Sequence, residues 1–301
     1  MTFSRIMLGT VQFGLAYGVA NVRGKPSFEQ VCAILKAACE GGVTALDTAA
    51  AYGTSEEVLG AALEILGLRE VMTVVSKVPP IPAGDDAAVE RFIETTLRES
   101  LRRLRLERLD VCLLHREEDL RFLPLLEKMA GRGLIGGAGV SLDSARYLEQ
   151  AAAARFIQLP CNALDRRFES FWPTAREKGI TVFARSVYLQ GLLLMPEETV
   201  PAWLAGVIPV RRALESIARG AGITMAELCM RTVLSNPAVT SVLTGVDTEG
   251  QMRENLSLAA GGPLPEPVLS RVRSCVPELP EALVRPALWP AREGSRPQGK
   301  T

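Results

Sequence analysis

The chain has 301 residues, with 34 Lys+Arg against 34 Asp+Glu, and 48% of it is apolar. That balance leaves no net field to recruit nucleic acid or an anionic membrane, while the apolar fraction supplies a sizeable core. Apolar runs fall short of bilayer length, the opening Met1-Thr2-Phe3-Ser4-Arg5 lacks a signal-peptide pattern, and six scattered cysteines show no CxxC spacing. The expectation is a cytoplasmic protein in a reducing setting, with no disulfide frame, no metal site and no membrane partner. The pattern does not give the oligomeric state.

Eight strand-like runs follow in order: Ile6–Thr10, Thr44–Asp47, Val71–Lys77, Leu109–His115, Gly136–Ser141, Phe156–Pro160, Thr181–Ser186 and Val239–Gly245. Helical patterns separate them. Ser27 and Gln30 are spaced as a capping box, with Val31, Ile34, Leu35 and Ala38 inward and Gly41-Gly42 as the stop. A second helix begins at Ser55, and further helical stretches are expected at 86–105, 120–131, 143–153, 167–178, 210–221, 225–234 and 249–259. Arg102, Arg103, Arg105 and Arg108 read as a solvated helix face. Strands alternating with helices pair in parallel through right-handed crossovers, and eight units close a (β/α)8 TIM barrel. An open doubly wound sheet is the runner-up. It is disfavoured because Gly9-Thr10-Val11-Gln12-Phe13-Gly14 leads into a long loop, Leu15 to Pro26, and no GxGxxG opens a helix. One barrel domain is expected over residues 1–284. Leu189 to Val210 reads as an insertion on the rim, and 285–301 as a tail, mobile or laid over the barrel mouth.

Three runs end in ionisable residues: Asp47, Lys77 and His115, the chain's one histidine. Tyr52 follows Asp47 in a Gly-containing loop. The carboxyl ends of barrel strands are where such enzymes keep their chemistry. A lysine beside the phenol is expected to lower its pKa, with Asp47 as counter-charge and His115 donating to a carbonyl oxygen. This set protonates an oxygen as charge develops on it. No nucleophile is evident, so a hydride-carrying cofactor is the natural partner.

The chain resembles the aldo-keto reductases, on Leu46-Asp47-Thr48-Ala49 with Tyr52-Gly53, Ser76-Lys77, Leu114-His115, Gly139-Val140-Ser141, Gln158 with Asn162, and Glu254-Asn255. The resemblance implies a barrel binding an extended nicotinamide dinucleotide without a Rossmann fold. It implies that Asp47, Tyr52, Lys77 and His115 are catalytic, with Tyr52 the general acid. Gly9 and Thr10 would lie under the nicotinamide ribose, and Ser141 and Gln158 would hold the carboxamide. Arg185 stands where an aromatic stacking residue is common. Ser186, Leu189, Gln190 and Gly191 would form the pyrophosphate loop, and Thr244, Gly245, Gln251, Glu254 and Asn255 the adenosine end. Leu142 replaces a common Asn, which removes one carboxamide bond. NADP is the family default. Asp247, with Gln251 in place of a common arginine and Arg253 phased away, leaves NAD open.

The substrate is a small-molecule carbonyl. Val11, Gln12, Phe13, Tyr17, Trp172 and Trp203 are candidate pocket walls, and Gln12, Asn162 and Arg23 suit a sugar-like carbonyl. Two other readings stay open. One is an aldolase-like enzyme using Lys77 as a Schiff base, which a paired Asp47 disfavours. The other is a cofactor-binding sensor or accessory barrel with little turnover.

Overall fold

The computed structural model describes residues 1–21 and 23–290. The expected tail thus lies outside the described residues from 291 onward. All eight expected strands form: β1 Ile6–Gly9, β2 Ala45–Asp47, β3 Thr73–Val78, β4 Val111–Leu114, β5 Ala138–Ser141, β6 Phe156–Pro160, β7 Thr181–Arg185 and β8 Ser241–Gly245. Each pairs in parallel with the next, and β8 pairs with β1 to close the barrel. Most are shorter than the apolar runs, whose ends belong to the turns.

Alternation along the strands builds the interior in layers. Met7, Ala45, Val75, Leu113, Phe156 and Phe183 form one buried cluster inside the ring, with Leu243 packed against it. Phe156 and Phe183 stack at 6.2 Å, and Phe3 plugs the floor 5.0 Å from Phe183. Two residues further on, each strand returns a residue to the axis. Those residues are Gly9, Asp47, Lys77, His115, Gln158, Arg185 and Gly245, joined from β5 by Ser141, two beyond Gly139. The polar layer is therefore the next tier of the same stack.

The first long helix, Phe28–Glu40, starts at Ser27 with both hydrogen bonds of the capping box, and its apolar stripe is buried as expected. The helices Ser55–Ile65, Asp86–Leu104, Ile208–Gly220, Met225–Leu234 and Glu249–Ala260 also match the sequence pattern closely. Of the arginine cluster, Arg103 is the exception to a solvated face. It pairs with buried Glu56, which also accepts from Ser76 Oγ on β3. Two expected helices are short. The 143–153 stretch holds only a 3₁₀ turn, Ala145–Tyr147, and Leu148–Ala151, and the 167–178 stretch reduces to Glu169–Phe171 and Trp172–Glu177. Helices at Val11–Gly14, Glu266–Cys275 and Glu281–Val284 were not expected, being too short or too broken by proline for a periodic signal.

The segment 189–210 is more than a rim insertion. Leu189, Leu192, Leu193, Leu204 and Val207 are buried with Leu214, Leu264, Leu269 and Val284 in a second apolar core outside the barrel. All six cysteines are free thiols. Among the described residues, no helix is long and apolar enough to cross a membrane.

Gly139 shows how tightly the strands approach. A Cβ there would fall 2.0 Å from the Phe156 carbonyl oxygen and 2.8 Å from Leu113 Cδ2. Gly139→Ala is expected to cost about 3 kcal/mol, the upper part of the range for overpacking. The urea-unfolding midpoint measures it, and an unchanged midpoint would contradict this spacing.

Candidate active site

Asp47 ends β2 in a buried position and accepts three hydrogen bonds. Lys77 Nζ reaches both carboxylate oxygens, at 2.7 and 2.8 Å, and Gln158 Nε2 donates at 2.7 Å. The third ammonium proton goes to the Thr48 carbonyl at 2.8 Å. An ammonium has three donors, so Lys77 is fully engaged. Burial pushes the Lys77 pKa down and Asp47 pulls it back up, leaving it below the ordinary lysine value.

Tyr52 is carried by a pinned loop. The Ser55 hydroxyl donates to the Thr10 carbonyl at 2.7 Å, and Thr10 Oγ1 donates to the Asp47 carbonyl at 2.9 Å. Gly14 supports the loop from outside, since a Cβ there would fall 1.8 Å from the Tyr52 carbonyl oxygen. The Tyr52 ring meets His115 edge-on, with centroids 5.6 Å apart and planes at 82°, and Lys77 Nζ lies 4.9 Å from the Tyr52 ring centre.

The electrostatics correct one expectation. Lys77 does not lower the phenol, because its charge is spent on Asp47. Burial raises the Tyr52 pKa above 10, the Asp47 charge raises it further, and Arg185 pulls it partly back. Tyr52 is a protonated phenol at neutral pH. Burial, then Lys77 and Arg185, push His115 down to about 3, so its ring is neutral. His115 Nδ1 is buried without a hydrogen-bond partner.

These groups open into a cavity of about 1340 Å³ at the carboxyl ends of the strands. It exceeds the ~300–1,000 Å³ usual for one drug-sized ligand. Asp47, Tyr52 and His115 line it, and Lys77 lies just beneath. On the expected cofactor side, Gly9, Ser141, Gln158, Arg185, Ser186, Gln190 and Gly191 line it. So do Thr244, Gly245, Asp247, Gln251, Glu254 and Asn255. Two expected cofactor residues do not. Thr10 is fully buried in the network under Tyr52, and Leu189 belongs to the second core. Arg185 is held by the Leu142 carbonyl and by Asp143 Oδ1, both at 2.9 Å. Gln251 Oε1 accepts from the backbone of Asp247 and Thr248 as part of a capping box. Asn255 Oδ1 accepts from the Tyr188 hydroxyl at 2.8 Å. Arg253 pairs with Glu249 and Glu40, away from the cavity.

The cofactor side has features that fit an extended polar ligand. Ser186, Leu189 and Gln190 all hold left-handed backbone, with φ of 63°, 48° and 54°. Such strain concentrates at ligand clamps. Gln12 Oε1 and Thr244 Oγ1 are buried with no hydrogen-bond partner.

The substrate side needs more correction. Val11, Gln12, Tyr17 and Trp203 line the cavity. Phe13 does not, being packed in the core between barrel and helices. Asn162 turns its Oδ1 to the backbone of Leu164 and Asp165, at 2.9 and 3.1 Å, outside the cavity. Trp172 packs on the outer core, and Arg23 is exposed near Asp247, whose pKa it lowers against the larger effect of burial. Sequence reasoning missed Glu117, Asp143 and Arg285, all of which line the cavity. Residues 285–290 are thus part of its wall, through Arg285, Pro286, Ala287 and Pro290.

The Aldo/keto reductase family matches residues 5–277. L-galactose dehydrogenase of Arabidopsis thaliana is 26% identical over 280 residues, covering 84% of each chain. The NADH-specific methylglyoxal reductase of Escherichia coli is 27% identical over 305 residues, covering 85% of this chain and 90% of that protein. The solved aldo-keto reductase AKR11C1 from Bacillus halodurans superposes with a TM-score of 0.75 at 20% identity, over 92% of this chain and 93% of that one.

Because the chain has one histidine, its ring state can be read directly. The imidazole signals in an NMR titration are expected to stay at neutral-ring positions from about pH 8 to about pH 5, although an ordinary histidine titrates near 6.5. A midpoint between about 6 and 7 would show that the ring is hydrated and its burial wrong.

Proposed function

We propose that this chain, which belongs to the aldo/keto reductase family and is an NAD(P)-dependent oxidoreductase, reduces an aldehyde or ketone to an alcohol with Tyr52 as the proton donor. One observation carries the reading. A protonated Tyr52 and a neutral His115 face one cavity at the mouth of the barrel, over a buried Asp47–Lys77 pair.

A nicotinamide cofactor, when bound, supplies the hydride for the carbonyl carbon. The residues of this chain act on the carbonyl oxygen. Neutral His115 has one N–H to give it, and Tyr52 O–H gives the second hydrogen bond and then the proton. A high phenol pKa keeps that proton in place until negative charge develops on the oxygen. Arg185, whose charge already pulls the Tyr52 pKa partly back, stabilises the phenolate left behind, and the Asp47–Lys77 pair fixes the floor beneath the ring. In the opposite direction the same groups remove a proton from an alcohol. The Schiff-base alternative loses support, because an amine with three engaged N–H donors has no free lone pair.

We also infer a preference for NADH over NADPH. Asp247 lines the cavity beyond β8, Gln251 is committed to its capping box, and Arg253 is held by two glutamates on the outer face. A 2′-phosphate would normally recruit a cation, and a carboxylate repels it. Ring stacking by Arg185 has no support, since Asp143 and Leu142 hold the guanidinium.

Fluorescence titration with NADH and NADPH, followed by turnover on a carbonyl panel, tests both readings. Tyr52→Phe is expected to keep dinucleotide binding and lose about 10²–10⁴ in kcat. Retention of kcat within about tenfold would remove Tyr52 from the acid role. Binding with no turnover in the wild type would favour the sensor or accessory barrel. Asp247→Arg is expected to shift the NADPH:NADH ratio of kcat/KM upward by about tenfold, the size of one favourable charge-assisted contact. An unmoved ratio would place the ribose elsewhere.

A further inference from the structure

Four charged side chains form a continuous line in the cavity wall. Arg185 donates to Asp143 Oδ1 at 2.9 Å, and Arg285 Nε donates to Asp143 Oδ2 at 2.5 Å. The other end of Arg285 comes within 3.7 Å of Glu117 Oε1, too far for a hydrogen bond. Glu117 and Asp143 follow β4 and β5, Arg185 ends β7, and Arg285 precedes the last described turn, so only folding brings them together. All four line the cavity that holds Tyr52 and His115, and Glu117 is two residues past His115.

Glu117 is the unusual member. It is 3% exposed. Its Oε2 accepts the backbone N–H groups of Asp143 and Ser144. Its Oε1 is buried and has no hydrogen-bond partner. Burial also lifts its pKa above the usual carboxylate value. A buried acceptor with a vacant lone pair favours a ligand that brings a donor. The line holds two guanidiniums and two carboxylates, so it is neutral as a set. An anionic ligand would face Glu117, and a cationic one would face Arg185 and Arg285. A neutral ligand with hydroxyl groups meets both demands, since a hydroxyl donates to carboxylate and accepts from guanidinium. Tyr17 and Trp203, both partly exposed on the same cavity, offer apolar faces to the carbon chain between the hydroxyls.

We propose that Glu117 and Arg285 form a subsite for the hydroxyl groups of a neutral, hydroxylated carbonyl substrate whose carbonyl lies at Tyr52 and His115. This deepens the reductase reading above and rests on it. Of the residues first expected to favour such a substrate, Gln12 lines the cavity but Asn162 and Arg23 do not, so the preference rests chiefly on Glu117 and Arg285.

The test compares kcat/KM of the full chain, with NADH or NADPH, on chain-matched pairs: glyceraldehyde against propanal, and erythrose against butanal. Succinic semialdehyde serves as the carboxylate probe. The wild type is expected to prefer the hydroxylated member by about 100-fold or more, because a site built to bond hydroxyls is left unpaired by the analogue lacking them. Glu117→Gln keeps an oxygen for the two backbone N–H groups and turns the vacant acceptor into a donor. It is expected to lower the preference about tenfold, through KM. Arg285→Gln is expected to lower it in the same direction and covers the case in which Glu117→Gln does not fold. A wild-type preference near unity would overturn the subsite. So would a preference unmoved in both variants, or better turnover of succinic semialdehyde than of the hydroxylated pair members. Turnover of propanal without discrimination sinks this inference alone, whereas turnover of no carbonyl sinks the reductase reading and this inference with it.

Discussion

A single carboxylate with almost no solvent around it ties the mouth of the barrel together. Asp47 on β2 receives Lys77 from β3 twice and Gln158 from β6 once, across the axis. Burying two charges costs several kcal/mol apiece, and only near-complete hydrogen bonding recovers that cost. The recovery fixes geometry around it. Lys77 cannot turn toward the phenol, Gln158 cannot turn away, and the Thr48 carbonyl must face inward. The ammonium is then held under the Tyr52 ring at a set depth. His115 takes the opposite solution. It is half-buried, with Nδ1 sealed off and no counter-charge beside it, so it stays neutral.

The same economy sets the division of labour. A high phenol pKa would be a poor property for an acid that worked alone. Here it leaves the proton on Tyr52 in the resting state, beside an imidazole that carries no charge. In the proposed reduction, negative charge enters the site only as the carbonyl oxygen gains it. Arg185 is already in place to answer that charge, with no reorganisation at the moment of reaction. Binding groups that respond to charge in the transition state raise rate, whereas groups that respond equally to substrate do not.

Much of this was legible because a parallel barrel strand obeys a period of two. Met7 to Gly9, Ala45 to Asp47, Val75 to Lys77 and Leu113 to His115 each step from the apolar layer to the polar one. The apolar runs therefore marked both the strands and the residues at their ends. The rule fails once the chain leaves the strand. Leu189, Phe13 and Asn162 sat at plausible offsets, but each turned into packing or a local turn, which spacing alone does not decide. Thr10 lies one residue past the end of β1, and that odd step sends it beneath the Tyr52 loop.

The wall opposite was less legible for a physical reason. Asp143 meets Arg285 across 142 positions of sequence, and Arg185 across 42. No periodicity links such residues, and each alone reads as an ordinary surface charge. Glu117 lies in the acidic run Glu117-Glu118-Asp119, which looks solvated, yet Glu117 and Asp119 are buried and only Glu118 faces out. Two carboxylates of that run cap backbone N–H groups of neighbouring loops: Glu117 those after β5, and Asp119 that of Ile81 after β3. A turn that buries acids to fasten loops leaves one oxygen of Glu117 over. On the proposed reading, the strand ends supply the reaction, and the leftovers of loop fastening supply the contacts that tell one carbonyl from another.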